Sequence, residues 1–424
     1  MLLNRIKFRI KDSSFYSIAR ISYFFISKKG KSARLLRCVL RVFKMYPFRC
    51  VSLAEYAQSK AGCWSLIVEN NRTGFYSNLV FNGDEGKYNL YEKPIPSLIM
   101  ALLHNVNIIP ASDFILCLEE DVTINDFGIL FDGTLYRNAD SSIYYQYNDI
   151  ALMKQDYRVA SRNIERGIML TGRFSFNYYH TLFEHYIKLL IPQIQKIPVD
   201  VPLIVDESFL KYSSFRAICS QLNTFNRPVI VQKGNEILHV QDLYVFNHIN
   251  IIPPEAFNVF SIPSSDVLFD TKYLGALRTE LLKIRSKKIF PKRIYISRKN
   301  CTRRNFNEDE VYNMLQEYNF EKYAPEELSF EEQVSLFHGA EIIVGGSGAA
   351  LSNVLFCQPR CKLLCFYSAK VNIPIFTTIA YSFGVKIRYF IGDEEEGSYV
   401  NNTHSDFLVN VLDLRKLLSE YIAE

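Results

Sequence analysis

The chain has 424 residues, of which 48% are hydrophobic, and it contains 32 Phe and 27 Tyr. This length exceeds that of a typical single domain, so the sequence predicts two domains with a large core. No stretch reaches the roughly 18 to 20 apolar residues of a transmembrane helix, so a membrane-spanning protein is not expected.

The chain has a net charge of +5, and its positive charge is concentrated at the N-terminus, because residues 1–50 carry 13 Lys and Arg against one acid, Asp12. Aromatic residues such as Phe8, Tyr23 and Phe48 lie among these cations, and residues 35–43 have helical apolar spacing. We interpret residues 1–50 as an amphipathic segment that binds an anionic membrane surface. An ordinary basic helix packed on the protein is the alternative. A nucleic-acid-binding arm has no other support in the chain, so no nucleic acid partner is expected.

Residues 61–148 predict short strands and turns. Residues 97–106 have the spacing of an amphipathic helix, and residues 129–136, with an Asp-Gly turn, are typical of a hairpin. Nothing in this region indicates catalysis. Three tyrosines in this region have rings on which a sugar can stack: Tyr144, Tyr145 and Tyr147. Tyrosines in such positions are, however, more commonly surface or half-buried residues without a functional role.

Residues 167–190 contain the candidate base. A predicted strand over 168–170 leads into a polar loop, and a helix begins near residue 178. His180 and Glu184 are four residues apart and therefore lie on one helical face. The carboxylate can hold the imidazole in one tautomer and raise its basicity, as a general base requires. The alternative is a histidine at the helix N-terminus that is satisfied by the backbone.

Residues 201–286 alternate between strand and helix, with strands at 201–207, 229–232 and 243–246 and helices at 209–222 and 271–286. This alternation predicts a parallel α/β domain that ends near residue 286. Asp206, at the end of a strand, is a minor candidate for acceptor contact.

Residues 293–356 carry the main functional signal. Two β-rich runs, at 294–296 and 342–344, each end in residues that can bind an anion. Arginines follow the first run, and a glycine turn that opens a helix follows the second, so that free N–H groups face an anion. Either feature alone is more often structural, but together they predict a diphosphate site at the carboxyl ends of neighbouring strands. The residues are Arg298, Arg303, Arg304, Gly346, Ser347, Gly348 and Ala349.

Two capping boxes are predicted, Asn307 with Glu310 and Ser329 with Glu332. Residues 406–421 predict an amphipathic helix that packs back toward the first domain.

Nine cysteines without paired spacing indicate free thiols in a reducing compartment. The apolar run at 21–26 is short and lacks a cleavage site, so no signal peptide is expected. We therefore expect a cytoplasmic protein that associates peripherally with the inner face of the cell membrane. Cys357, Cys361 and Cys365 are evenly spaced, but Pro359 interrupts them, and buried thiols are favoured over a metal site.

The succession YISR, Arg-Arg, NEDEV, SFEEQ, IIVGG and GAALSN resembles glycosyltransferase family 61, over about residues 125–365 and most densely at 294–356. The family includes plant xylosyl- and arabinosyltransferases, the EGF-domain O-GlcNAc transferase and bacterial capsular polysaccharide enzymes. The resemblance implies a GT-B architecture, an α/β fold of two Rossmann-like domains facing a central cleft. We place the acceptor-side domain at 51–286, the nucleotide-sugar domain at 287–405 and a C-terminal helix at 406–424, after the basic segment 1–50.

The resemblance also implies a reaction, the inverting transfer of a sugar from a nucleotide-sugar, expected to be UDP-linked, to a glycan or lipid-linked glycan acceptor. No cofactor or metal is expected. The family pattern of Asn, His and a following acid falls on Asn177, His180 and Glu184. This assigns His180 and Glu184 to catalysis and Asn177 to the acceptor, and Asp206, at the end of its strand, is a further candidate for the acceptor site. The donor is assigned to the diphosphate residues together with Asn353 and Glu332.

Two departures from the family pattern stand out. Thr181 replaces an aromatic residue after the histidine, so we expect the acceptor pocket to differ from that of relatives. Ser347 replaces the histidine that many members have before the Gly-Ala pair. A hydroxyl can donate to a phosphate but cannot carry a proton charge, so we do not place the base there. The alternatives are a catalytically inactive glycan- or lipid-binding assembly protein that retains the fold, and transfer of another nucleotide-activated group.

Overall fold

The computed structural model describes Leu40 and residues 45–78, 89–120, 122–126, 142–147, 149–253, 264–368, 375–394 and 406–423. These residues form a mixed α/β structure with an eleven-stranded sheet and a six-stranded sheet. The α/β class predicted from the alternation of strands and helices is confirmed.

The first sheet is built mainly from the N-terminal half. Its strands are β1 Tyr46–Val51, β2 Trp64–Glu69, β5 Leu98–Ile108, β6 Ile115–Cys117, β7 Val122–Ile124, β8 Ile143–Tyr147, β9 Ile150–Met153, β10 Arg162–Met169, β11 Leu203–Asp206, β12 Val229–Gln232 and β13 Leu238–Phe246. The spatial order is β12-β11-β10-β13-β5-β6-β7-β1-β9-β8, and β2 also pairs with β5. Strands β10 to β13 pair in parallel with one another, whereas β5 runs antiparallel to β13. A separate pair is formed by β3 Arg72–Ser77 and β4 Leu90–Ile95.

The second sheet lies in the C-terminal half. Its strands are β14 Arg293–Ile296, β15 Glu321–Tyr323, β16 Ile342–Gly346, β17 Lys362–Ser368, β18 Lys386–Glu394 and β19 Phe407–Leu408. The order is β15-β14-β16-β17-β18-β19, with the first five strands parallel and β19 antiparallel. The connection from β14 goes outward to β15, and the chain then returns to β16 on the other side of β14. The carboxyl ends of β14 and β16 therefore flank a topological switch point, where open α/β sheets bind ligands.

The helices occupy the connections between strands. They are α1 Leu53–Ser59, α2 Tyr178–His180, α3 Ser208–Lys211, α4 Ser213–Leu222, α5 Thr271–Leu282, α6 Glu308–Gln316, α7 Phe330–Gly339, α8 Ile375–Ser382 and α9 Val411–Ala423. Helix α2 continues as a π-helical turn, Thr181–His185, and then as a 3-10 helix, Tyr186–Leu190. Further 3-10 helices are Pro192–Lys196, Ser264–Asp266, Pro325–Glu327 and Ala349–Phe356. Within the described part of the chain, no helix combines the length and apolarity needed to cross a membrane.

The largest hydrophobic cluster is shared by the two sheets. It includes Ile168 of β10, Phe183 beside α2, Leu277 of α5, Ile294 of β14 and Ile343 of β16. Full burial of one such side chain contributes roughly 1.5 to 3 kcal/mol. This shared core holds the carboxyl-end loops of the second sheet next to the α2 region.

The helix predicted at 97–106 is wrong, because these residues form β5. Leu, Met and Ala in this stretch favour a helix locally. As a strand, however, the segment pairs with β13 on one side and with β2 and β6 on the other, and it buries Leu98, Met100 and Leu103. Tertiary pairing overrides the local preference.

The predicted boundary of the basic segment at residue 50 is also wrong, because β1 already begins at Tyr46 and pairs with β7 and β9. Phe48 is 1% exposed and is unavailable to a membrane. Leu40, on the apolar face of the predicted helix, is helical and buried. The rest of that helix and the predicted hairpin at 129–136 lie outside the described residues.

Two further segments differ from the prediction. The helix predicted at 209–222 is interrupted at Tyr212, which separates α3 from α4. The C-terminal helix begins at Val411, after β19. Its buried residues Leu414 and Leu418 pack in a cluster with Tyr295 of β14, so α9 covers the second sheet instead of packing back toward the first domain.

Candidate active site

The loop after β14 contacts the turn after β16. Nη1 of Arg298 donates to the carbonyl oxygen of Ser347 at 2.8 Å, and Nη2 donates to the carbonyl oxygen of Arg303 at 2.8 Å. The structure thus brings the two predicted anion-binding segments together. It also shows that the Arg298 guanidinium is engaged with backbone carbonyls, so Arg298 fastens one loop to the other.

The glycines of the turn allow this close approach. A Cβ atom on Gly348 would lie 2.0 Å from Nη1 of Arg298. One on Gly346 would lie 2.7 Å from Cδ of Arg298 and 2.8 Å from Cε1 of Phe306. Gly348 has an extended backbone with φ of −178°, so space for the arginine, and not backbone conformation, requires glycine here.

Arg304 is the second half-buried cation of the site. Its φ of +56° lies in the left-handed region, and its Nη1 is 3.4 Å from Oγ of Ser347. Burial lowers the pKa of Arg304, and the charge of Arg298 lowers it further. Among the described residues, the Nε atoms of Arg298 and Arg304 are buried without a hydrogen-bond partner. Arg303 is exposed. Neighbouring cations held in this way favour an anion between them.

Glu308, to which the sequence assigned no role, fixes the start of the arginine loop. Its carboxylate accepts hydrogen bonds from Oγ of Ser297 at 2.5 Å and from the backbone N of Arg298 at 3.1 Å, and pairs with Nζ of Lys322 at 3.0 Å. A small open cavity of about 230 Å³ lies beside it, lined in part by Arg298 and Phe306. The only sequence signal was an acid in the first turn of the helix after β14.

Two donor candidates are occupied by structural contacts. Asn353 is fully buried, and its Oδ1 accepts from the Tyr178 hydroxyl at 2.6 Å while its Nδ2 donates to Gln333 at 3.1 Å. Glu332 completes the capping box with Ser329 at the start of α7, as predicted, and also pairs with Lys288 at 2.9 Å.

The capping box predicted for Asn307 and Glu310 is wrong. The Asn307 side chain does not cap α6. Its Nδ2 donates to Glu310 at 2.7 Å, but its Oδ1 accepts from the backbone N of Val409 at 2.9 Å, so the residue ties α6 to the segment before α9.

His180 lies at the end of the first turn of α2, with Nδ1 in hydrogen-bond contact with Oε1 of Glu184. The His180 side chain is 18% exposed and that of Glu184 is 2% exposed. Because a carboxylate only accepts, Nδ1 carries the proton and Nε2 bears the lone pair. The residues between them form a π-helical turn, a feature frequent at functional sites.

Glu184 is charged at neutral pH. Burial by itself would raise the pKa of this carboxyl, but the charge and hydrogen bond of His180, together with the charge of Arg173, lower it to about 2. A fixed carboxylate can therefore stabilise an imidazolium on His180.

Two aromatic residues beside His180 were not predicted. The ring of Phe174 lies 4.8 Å from the His180 ring and 6.0 Å from that of Phe176, which is exposed. Phe174 has φ of +56°, a conformation that a bulky residue adopts only when its surroundings impose it. Nothing in the sequence pattern reveals such a backbone conformation.

The acceptor candidates Asn177 and Asp206 both cap local structure. Oδ1 of Asn177 accepts from the backbone N of Tyr179 at 3.0 Å at the start of α2. Oδ1 of Asp206 accepts from the backbone N of Ser208 at 2.9 Å at the end of β11, and Asp206 is buried.

The first turn of α2 adjoins the helix that follows the glycine turn. The hydrogen bond from Tyr178 to Asn353 joins these elements, and the Tyr179 ring lies 6.4 Å from that of Phe376 in α8. A candidate base and a candidate anion site are therefore presented by adjoining elements, an arrangement suited to transfer of a group from an anionic leaving group.

The mixed α/β fold fits an α/β glycosyltransferase. The family model described as Glycosyltransferase 61 matches residues 178–364, from the first turn of α2 into β17. This match supports membership of glycosyltransferase family 61, in agreement with the resemblance noted from the sequence, and the family implies a nucleotide-sugar donor and a glycan acceptor. No curated protein matches the chain.

Proposed function

We propose that the chain is an inverting, metal-independent glycosyltransferase that moves a sugar from a UDP-linked donor to a growing glycan in bacterial capsular or surface polysaccharide synthesis. The observation that carries this proposal is the hydrogen bond of 2.6 Å from Tyr178 to Asn353, since it joins the helix of His180 to the helix of the glycine turn. The proposed setting is the inner face of the cell membrane, reached through the basic residues before β1.

The proposed architecture is GT-B, with domains at 51–286 and 287–405 on either side of a cleft. The strand order of the second sheet supports a Rossmann-like donor domain with its ligand at the ends of β14 and β16. The adjoining α2 region, from the other domain, supplies the base.

The donor diphosphate is proposed to bind at Arg304 and the N–H groups at the start of the 3-10 helix Ala349–Phe356. Arg298 keeps the two loops together, and the exposed Arg303 adds positive charge at the rim. As the bond from the anomeric carbon to the phosphate oxygen breaks, negative charge develops on the leaving diphosphate. Arginines placed there neutralise it by charge-assisted hydrogen bonds, which supports a reaction without a metal.

His180 is proposed to act as the base through Nε2. It takes the proton of the acceptor hydroxyl while the hydroxyl oxygen forms a bond to the anomeric carbon from the side opposite the diphosphate. This single displacement inverts the anomeric centre. The proton remains on His180, whose positive charge Glu184 stabilises, and the electron pair of the broken bond leaves with the nucleotide.

Transfer assays with a panel of nucleotide-sugars test the proposal, after a thermal shift screen finds the donor that raises the melting temperature. His180→Ala is expected to keep the donor-induced shift and to lose about 10²- to 10⁴-fold in turnover. His104→Ala is a matched control, because His104 also pairs with a carboxylate, Asp242 at 2.6 Å, but on β5 and β13. Near-normal turnover in His180→Ala would contradict the proposed base.

A further inference from the structure

A buried arginine lies directly behind the His180–Glu184 pair. The Arg173 side chain is 1% exposed, and its Nη2 is 3.6 Å from Oε2 of Glu184, the oxygen that His180 does not use. The same nitrogen donates to the carbonyl oxygen of Ile252 at 3.0 Å, and Nε is 3.5 Å from Oδ2 of Asp113. Arg173 thus connects three segments that are distant in the sequence.

The backbone around Arg173 is held as tightly as its side chain. Its N–H donates to Oδ1 of Asp113 at 2.9 Å, and its carbonyl oxygen accepts from Nε2 of His185 at 3.1 Å. A Cβ atom on Gly172 would lie 2.6 Å from Oδ1 of Asp113 and 2.7 Å from Cε1 of His185. Only glycine fits before Arg173 without displacing these partners.

The charges that face Glu184 explain why an arginine stands here. Burial lowers the pKa of His185 to about 4 and that of His248 to about 3, so both are neutral at pH 7. Burial also lowers the pKa of Lys188. Arginine stays charged in any protein environment and presents a planar fork that can serve two carboxylates at once. The titratable groups that face Glu184 are His180, Arg173, Asp113, His185, Lys188, His248 and Tyr179, and Asp126 in turn faces Lys188.

We propose that Arg173 is a positioning residue for the base. By holding Oε2 of Glu184, it keeps Oε1 on Nδ1 of His180 and so fixes the tautomer in which Nε2 accepts the proton. This inference rests on the proposed function, which gives His180 its role. Arg173 acts only through Glu184 and does not contact the reacting atoms.

The tautomer of His180 can be measured directly by ¹⁵N NMR of the imidazole, with the signals assigned by their loss in His180→Gln. The wild type is expected to show the Nδ1–H form at neutral pH. Arg173→Met together with Asp113→Asn removes the arginine and its second carboxylate partner at once, which avoids an unpaired buried carboxylate at position 113. This double variant is expected to show a mixture of tautomers and a loss of turnover on the order of 10- to 100-fold, as seen when partners that orient metal-bound histidines are removed.

Arg173→Lys provides a second test that keeps the buried positive charge and guards against a double variant that does not fold. A lysine supplies a point charge without the fork, so it is also expected to give mixed tautomers, with the donor-induced thermal shift unchanged. A wild-type tautomer in either folded variant overturns the inference, because neither the fork nor the contact to Glu184 would then be needed. That result leaves the proposed transfer reaction standing, whereas normal turnover in His180→Ala removes the base and leaves the tautomer measurement valid.

Discussion

The arginine loop with its glycine turn and the surroundings of His180 differ in how their charges are balanced. At the glycine turn, Arg298 and Arg304 lie close together, and the neighbouring Ser347 offers them only a carbonyl and a hydroxyl oxygen. Behind His180, by contrast, acids and bases alternate from Asp113 through Arg173 to Glu184. The first region accumulates positive charge that an incoming anion can neutralise. The second is already balanced and holds one imidazole in place.

The largest expected effect comes from removing Arg304, a half-buried cation whose Nε atom has no hydrogen-bond partner among the described residues. Arg304→Met is expected to reduce turnover about 10²- to 10³-fold, the effect of losing one donor to a developing negative charge. Arg303→Met, at the exposed rim, is the control and should change turnover much less. Steady-state kinetics at saturating donor measures both. Equal losses in the two variants would show that overall positive charge matters more than the position of Arg304.

Lowering the pH should reduce the stability of the folded protein through the buried groups behind His180. In the unfolded chain His185 and His248 titrate near their ordinary pKa of 6.5, but burial lowers the folded values to about 4 and about 3. The unfolded state therefore binds more protons as the pH falls from 6.5 toward 4, and the free energy of unfolding should drop by a few kcal/mol. The carboxylate of Glu184, whose pKa falls from 4.5 to about 2, adds a further loss below pH 4.5.

Urea denaturation at pH 7 and pH 4.5 measures this loss. Lys188, Glu184, Asp113 and Arg173 face His185, and the lowered pKa already includes the charges of the first three. His185→Gln should reduce the difference between the two pH values. An equal difference in the variant and the wild type would show that other groups cause the acid sensitivity.

The glycine turn can be tested by filling its space. Gly348→Ala places a methyl group on the Arg298 guanidinium, so we expect a loss of about 1 to 3 kcal/mol in the free energy of unfolding and weaker donor binding. Gly275→Ala in α5 is the matched control, since a Cβ there meets nothing within 4 Å. It should leave stability unchanged or raise it slightly, because alanine favours a helix. A Gly348→Ala protein as stable as the control would show that the two loops are not fastened by Arg298.

The last expected effect, comparable in size to that of Gly348→Ala, concerns the contact between the two regions. Tyr178→Phe removes the hydroxyl that donates to Asn353 and leaves a buried oxygen without that donor. The expected loss is about 1 to 3 kcal/mol in the free energy of unfolding, together with lower turnover at unchanged donor affinity. Tyr212→Phe, at the exposed break between α3 and α4, is the control. Unchanged turnover in Tyr178→Phe would show that the two regions are aligned by packing alone.

The same contrast explains what the sequence could predict. Strands β14 and β16 of the second sheet, and β12 of the first, combine β-branched residues with clear breaks, so their position follows from local pattern. The arginine loop and glycine turn are short segments at the ends of parallel strands, and strand adjacency brings them together. The helix prediction for residues 97–106 was wrong because pairing with β2 and β13, and not their own composition, makes them a strand.

The surroundings of His180 could be predicted only in part. The spacing to Glu184 identified the pair, because both lie on one helical face. Asp113, Arg173 and Ile252 come from three separate segments, and a single sequence does not show that they meet. The left-handed conformation of Phe174 is likewise imposed by tertiary contacts and leaves no trace in the residue pattern.

Calorimetric titration with UDP separates the proposed anion site at Arg304 from the proposed base, His180. We expect His180→Ala to bind UDP as tightly as the wild type and Arg304→Met to bind it at least about tenfold more weakly, a difference of about 1.4 kcal/mol. Equal UDP affinity in Arg304→Met and the wild type, or a loss of UDP binding in His180→Ala, would contradict these assignments.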